Sequence, residues 1–241
     1  MQPFYRAFYL PPADPEVLEE FGKLPLDPYT GARQRYRRFS QYRIRNLLQS
    51  GSREDRWVLE LLQHRPFLQP KSVNTLVGGM PRQIEALRID PSPQVDAAAK
   101  EIGLATDHDW QINVHQCRVV ARPGQKAVSV PEGPHRDGHD FGMLAVFGRH
   151  NITGGETQLM PLGGGEPFFR VTLQPNQAVA FDDTAMWHTA TDLTALNHDN
   201  GYRDLWIVVF NRWDRRKYGP EYESRAAPAG DMDLRSGKEA P

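Results

Sequence analysis

The residues with the clearest capacity for chemistry are His135 and Asp137, separated by a single arginine, with His188 and then Arg203 further along the chain. Two imidazoles and a carboxylate suit a hard-to-borderline divalent ion. Side chains of an extended segment alternate with period 2, so His135 and Asp137 leave the backbone on the same side and can serve as neighbouring ligands. A third donor must come from a strand distant in sequence, and His188 is placed to supply it. Three protein donors on one face of an octahedron leave three positions open, the donor set of a non-haem Fe(II) site that admits further ligands.

The surrounding chain sets limits on what positions these groups. Its 241 residues are 39% hydrophobic, enough for one core, and its 20 Gly and 20 Pro imply many turns. A formal charge of -1 gives no global attraction to nucleic acid or anionic membrane. The single cysteine, Cys117, excludes an intramolecular disulfide and reads as a small buried hydrophobe. The N-terminus lacks a continuous apolar stretch and no later segment approaches a membrane span, so a soluble cytoplasmic protein is expected.

Along the chain, Asp14–Gly22 reads as a short helix, opened by Pro15 and acidic residues. A second helix is expected over Arg53–His64, where Trp57, Leu61 and Leu62 repeat at helical spacing before Pro66. A third, over Pro93–Gly103, is Ala-rich and closed by glycine. From Trp110 the texture changes to strands: INVHQCRVVA, FGMLAVFG, GETQLM, FFRVTL, AVAFDD and LWIVVFNRW, divided by turn residues. The pattern suggests a mainly β two-sheet antiparallel sandwich or jelly roll with flanking helices, a single domain over 1–218 with the N-terminal helices as buttress. Residues 219–241, rich in Ala, Gly, Pro and charge, are expected to form a loosely ordered tail.

Five phrases in order, HQCRVVA, PEGPHRDGHDF, NITGGETQL, FDDTAMWHTATDL and GYRDLWIVVFNRW, resemble the bacterial 2-oxoglutarate/Fe(II) dioxygenases that include the L-isoleucine 4-hydroxylases and related free amino acid hydroxylases. The upstream DPYTGARQRYRRFSQYRI resembles that family's N-terminal segment. The resemblance implies a double-stranded β-helix, Fe(II) held by His135, Asp137 and His188, and 2-oxoglutarate and O2 as cosubstrates. It also implies oxidative decarboxylation to succinate and CO2 coupled to hydroxylation of an aliphatic C–H. A cation must fix the distal carboxylate of 2-oxoglutarate, and arginine suits this because its planar fork pairs bidentately and stays charged. Arg203, on the strand after His188, is the candidate and Arg212 the alternative. Related enzymes often carry serine or threonine two residues beyond that arginine; here the position is Leu205.

Substrate-binding candidates are His115, Gln116, Arg118 and Glu132; His115 and Gln116 sit on opposite faces of their strand, so one side of it could line a pocket. The arginines at 33, 35, 37, 38, 43 and 45 are interleaved with aromatics, a texture that can mark RNA binding. A solvated strand with intramolecular salt bridges is the simpler reading, and any of these arginines or Arg118 could anchor a substrate carboxylate. Asp182 and Asp183 are expected to end a strand, one of them available as a hydrogen-bond acceptor behind the metal site. His139 is expected to neighbour the site, and Gly154 and Gly155 to make a tight turn. The partner expected is a small-molecule substrate, with neither nucleic acid nor membrane. Two other functions stay open: a cupin-like zinc or manganese hydrolase or isomerase, and a non-catalytic binder of metal and 2-oxoglutarate acting as a sensor in a stress or biofilm pathway.

Overall fold

The computed structural model describes residues 4–30, 33–46, 57–105 and 107–227. The first part contributes β1 (Tyr5–Tyr9), α1 (Pro15–Glu20), β2 (Arg35–Asn46), β3 (Trp57–Leu61) and α2 (Ser92–Ile102). Then come β4 (Trp110–Ala121), β5 (Phe141–His150), β6 (Ile152–Gly154), β7 (Thr157–Pro161) and β8 (Phe169–Val171). The chain continues through β9 (Gln177–Asp182), β10 (Met186–Ala190), β11 (Leu193–Ala195), β12 (Gly201–Arg212) and α3 (Pro220–Ala226). A seven-stranded antiparallel sheet runs in the order β1-β9-β5-β12-β4-β2-β3 and faces two smaller sheets, β10-β7-β8 and β11-β6. The architecture is the jelly roll, or double-stranded β-helix, one of the two that the strand pattern suggests.

The central strands read as nearly continuous apolar runs because both of their faces are buried. In β5, Met143, Ala145 and Phe147 point to the outer face and Leu144 and Val146 to the inner one. In β9, Ala178 and Ala180 alternate with Val179 and Phe181 in the same way. The outer face is covered by Val17, Phe21, Val95, Ala98 and Ala99, from α1, the 3-10 turn that follows it, and α2. The inner face packs against Ile152, Leu159, Met186 and Leu193 of the small sheets. Helix α2 ends as its sequence indicates, with Gly103 in the left-handed conformation at φ 69°.

Two expectations require correction. Within the helix expected over Arg53–His64, Trp57–Leu61 is a strand, paired antiparallel with the edge of β2 through Ile44↔Leu59 and Tyr42↔Leu61. Leu59 packs on the core while Leu61, assigned to a buried helical stripe, is 64% exposed. The open backbone groups of the β2 edge outweigh a helical period carried by only three residues. The beginning of that segment, residues 53–56, lies outside the described residues. The tail expected from residue 219 is also different: Pro220–Ala226 is a helix, held by a bidentate ion pair between Arg65 and Glu223 and by Tyr222 donating to the Leu68 carbonyl at 3.1 Å. Residues 228–241 lie outside the described residues.

Candidate metal centre and adjoining pocket

The approach of His135 to His188 is fixed by backbone. The loop before β5 forms one bridge with β10, His135 N–H donating to the His188 carbonyl at 3.1 Å and His188 N–H returning the bond at 2.9 Å. The two imidazoles are thereby set side by side, ring centroids 4.4 Å apart. The next turn is fixed by Asp183, a fully buried carboxylate just after β9. It accepts the backbone N–H of Asp137 at 3.0 Å and of His139 at 2.8 Å. Gly138 lies between them at φ 78°, where a Cβ would come within 2.9 Å of Val73.

Asp137 consequently presents one oxygen to each histidine: Oδ1 is 3.6 Å from His135 Nε2 and Oδ2 is 3.5 Å from His188 Nε2. The three candidate donors lie within 4.8 Å of one another. On the far side of each ring, His135 Nδ1 is 2.9 Å from the Gly133 carbonyl and His188 Nδ1 is 3.6 Å from Asp183 Oδ1. Both Nε2 atoms are thus turned toward Asp137, the orientation that backing groups impose on metal-bound histidines. Burial would raise the Asp137 carboxyl, but His135 and His188 hold it well below the usual range. Burial opposes charge on His135, yet Asp137 raises it to about 9. His188 is pushed down to about 4 by burial, so its Nε2 lone pair is available. One carboxylate, one neutral imidazole and one imidazole holding a proton that a cation can displace make a donor set suited to a divalent metal. His139 stands outside the group, its Nδ1 2.6 Å from the Asn211 amide and its ring held neutral, at about 3, by burial and Lys217.

The three residues line one end of a cavity of about 300 Å³ between the sheets. Its floor is the inner face of the large sheet, whose register places Arg35, Arg37 and Phe39 of β2 beside Val119, Cys117 and His115 of β4. Beyond them come Arg203, Leu205 and Ile207 of β12. Arg203 is only 3% exposed, lies 3.4 Å from the Thr157 hydroxyl and has no carboxylate partner among the described residues. Burial, reinforced by Arg149, pushes its guanidinium down to about 10.

The same register sorts the other candidates. Arg212 has the opposite parity from Arg203, does not line the cavity and bonds Asp214 at 2.9 Å, so the alternative anchor is not supported. Gln116 and Arg118 also face away from the cavity. Gln116 reaches the Val17 carbonyl, and Arg118 is engaged bidentately by Asp204 at 2.6 and 2.7 Å while stacking over Tyr202. Both are corrected as substrate candidates: alternation along β4 turns them toward the helical layer. His115 and Glu132 do line the cavity. His115 is stacked on Phe39 and edge-on to Phe67, and burial keeps it neutral.

The arginine-rich strand is indeed threaded with ion pairs, such as Arg45 with Glu60 at 2.6 Å, but it is not simply solvated. Arg38 is buried against Glu20 on the outer face and Arg37 against Asp27 on the inner face. The sequence marked Glu132 but not Thr157 or the chain that leads to Glu132, Arg82–Gln69–Asn74, whose links up to Glu132 are 2.7, 3.5 and 2.9 Å. Gln69, Asn74 and Arg82 come from an irregular segment folded back by a reciprocal Phe67–Arg82 backbone bridge.

A family model for 2OG-Fe dioxygenases matches residues 19–209. The chain belongs to the 2OG-Fe dioxygenase family and is accordingly a non-haem iron dioxygenase, of a class that uses Fe(II), 2-oxoglutarate and O2. Among solved structures it is similar to a bsmA homolog from Methylobium petroleophilum PM1, with 29% identity over 81% of this chain and 79% of that one and a TM-score of 0.68. IDO from Bacillus thuringiensis shares the fold at 18% identity over 82% of each chain, with a TM-score of 0.60. The Fe(II)/α-ketoglutarate-dependent dioxygenase TqaL does so at 15% identity over 86% of this chain and 82% of that one, with a TM-score of 0.53. No curated protein matches the chain.

Proposed function

We propose that this dioxygenase hydroxylates an aliphatic C–H bond of a free L-amino acid or a similarly small metabolite. Fe(II) would be held by His135, Asp137 and His188, and the distal carboxylate of 2-oxoglutarate by Arg203. When bound, the metal and its keto acid activate O2, coupling loss of CO2 from 2-oxoglutarate to insertion of one oxygen atom into the substrate. The observation that carries the reading is Arg203: a buried cation without a carboxylate partner among the described residues, in the same cavity as the histidine–aspartate cluster. A buried charge is tolerated when a partner neutralises it, and a bound carboxylate would do so.

The protein's own residues account for orientation and shielding. Asp183 and the Gly133 carbonyl orient the donor side chains, and the buried Thr157 hydroxyl accepts from the Arg203 guanidinium and helps to hold it in place. Leu144, Leu205, Ile207 and Val209 give the pocket an apolar lining that keeps water from the reacting centre. Glu132, held by the Asn74 amide at 2.9 Å, offers a carboxylate to the ammonium group of an amino acid. A cavity of about 300 Å³ matches small ligands. Neither a zinc or manganese hydrolase or isomerase nor a non-catalytic sensor is favoured by the family relationship.

An anaerobic titration of the metal-free protein with Fe(II) and then 2-oxoglutarate tests the reading. A saturable visible charge-transfer band is expected, lost in His135→Ala and requiring far more keto acid in Arg203→Ala. Succinate release across the free L-amino acids then identifies the substrate. Absence of the band, with tight zinc binding instead, would overturn the assignment of these residues.

A further inference from the structure

A second group of buried cations lines the same cavity, away from Arg203. Arg37 and Arg82 are 6% and 4% exposed, and both flank the Phe67 ring, with guanidinium carbons 5.7 and 4.3 Å from its centroid. Arg37 pairs with Asp27 at 2.7 Å, and one oxygen of Asp27 is already occupied by the Tyr29 N–H. Among the described residues, the Arg82 side chain hydrogen-bonds only the neutral Gln69 amide oxygen, at 2.7 Å. The Nε of each arginine has no hydrogen-bond partner among the described residues. Among the described residues, only Arg37 of the two guanidiniums touches a carboxylate; Glu132 acts on both from further off, at the end of the Gln69–Asn74 chain, and burial together with Arg37 pushes Arg82 down to about 10. If the pair served only to brace the fold, Arg37 and Asp27 would suffice and a second cation would add cost without return.

The register separates this pair from the cosubstrate anchor. On the sheet floor Arg37 is two strands and two residues from Arg203, about 12 Å between their Cα positions at ordinary strand spacing. Both carboxylates of 2-oxoglutarate are already assigned, one to the metal and one to Arg203. The pair is thus available to another anion. Beside it the floor is apolar, formed by Cys117, Leu205 and Ile207. The nearby Arg35 is less suited, because it is only half-buried and its guanidinium is engaged by the Ser129 carbonyl.

We infer that Arg37 and Arg82 together seat a carboxylate of the prime substrate, so that the enzyme selects small aliphatic carboxylic acids, amino acids among them, over the corresponding amines. This rests on the dioxygenase site proposed above, with Arg203 reserved for 2-oxoglutarate. A planar carboxylate accepts hydrogen bonds from two guanidiniums at once, restores charge balance and lays its aliphatic chain along the apolar floor.

The test is calorimetric binding to the full chain loaded with redox-inert Mn(II) and 2-oxoglutarate. The probes are L-leucine, L-isoleucine, L-methionine, 4-methylpentanoate and 3-methylbutylamine. At least one of the four carboxylates is expected to bind, at least tenfold more tightly than the amine. Arg82→Gln should weaken that carboxylate at least tenfold while 2-oxoglutarate affinity stays within threefold of wild type; Arg82→Lys should restore part of the loss, and Arg203→Gln should show the reverse pattern. The inference is overturned if the amine binds as tightly as the carboxylates or if no carboxylate binds the wild-type chain. It is equally overturned if Arg82→Gln leaves the carboxylate within threefold, or weakens 2-oxoglutarate as much as Arg203→Gln does. Failure of the underlying reading looks different: carboxylates bind through Arg82, but no charge-transfer band or succinate release follows.

Discussion

Replacing Arg203 with methionine should make the ligand-free protein more stable and its cosubstrate site useless. In the folded chain the Arg203 guanidinium is pushed down to about 10 from 12.5, first by burial and then by Arg149. A depression of that size corresponds to roughly 3 kcal/mol of unfavourable charge burial. The folded state holds this proton less tightly than the unfolded chain, so the penalty is fully present at pH 7.5 and fades only as the pH rises from about 10 past 12. Methionine keeps most of the apolar stem, and losing the long contact to Thr157 takes back at most about 1 kcal/mol. Urea denaturation at pH 7.5 without 2-oxoglutarate should therefore show Arg203→Met gaining about 2 kcal/mol. Loss of the charged pair with the keto acid should cost about 2–5 kcal/mol of binding, roughly a 30- to 5,000-fold fall in affinity by calorimetry on the Mn(II)-loaded protein. At a hundredfold excess over its wild-type Kd, 2-oxoglutarate should add about 2.7 kcal/mol to the wild-type chain and at most about 0.9 kcal/mol to the variant. A variant less stable than wild type by 1 kcal/mol, or one retaining 2-oxoglutarate affinity within threefold, would refute the reasoning.

Glu20→Ala removes the close carboxylate partner of buried Arg38, leaving Glu85 at 3.6 Å, and should cost about 3 kcal/mol in urea denaturation without shifting 2-oxoglutarate affinity. Gly154→Ala places a methyl group 1.9 Å from the Asp192 carbonyl oxygen at φ 83°; thermal unfolding should fall by roughly 6–12 °C, and an unchanged Tm would show that the turn relaxes. Cys117 is buried, and burial raises its thiol above the ordinary range. At pH 7.5 it should resist iodoacetamide while the chain is folded and react at the rate of an exposed thiol once urea unfolds it; prompt labelling of the folded protein would contradict its placement on the pocket floor.

The parts of the fold legible in the sequence were those whose burial repeats locally. Strands β5, β9 and β12 are apolar on both faces over most of their length, and their runs stand out without knowledge of any partner. His135, Asp137 and His188 were legible because the donor chemistry is narrow and the first two are spaced for one face. Strand β3 was not, since Trp57–Leu61 fits either period and only its pairing with the edge of β2 decides. Helix α3 was hidden in a stretch of tail-like composition because its stability comes from Arg65 and Leu68, far away in sequence. Gln116 and His115 are adjacent in sequence and both polar, and nothing local indicates which of them faces the cavity.

The arginines show most clearly why the pocket could not be read from one dimension. Arg37 and Arg38 are consecutive residues of one strand, and both are buried beside a carboxylate. Arg38 faces the helical layer and is matched by Glu20, with Glu85 nearby, so it is structural. Arg37 faces the cavity, and Arg82 brings beside it a second guanidinium that touches no carboxylate among the described residues. Local sequence cannot separate the two roles, because charge balance belongs to the folded neighbourhood and not to the strand. Once the neighbourhood is known, the surplus is informative: a balanced buried arginine braces the fold, whereas an unbalanced one that opens on a cavity marks where an anion enters. By that criterion Arg203 and the Arg37–Arg82 pair are the two anion seats we propose on one sheet floor, one for the keto acid and one for a second carboxylate brought to the same metal.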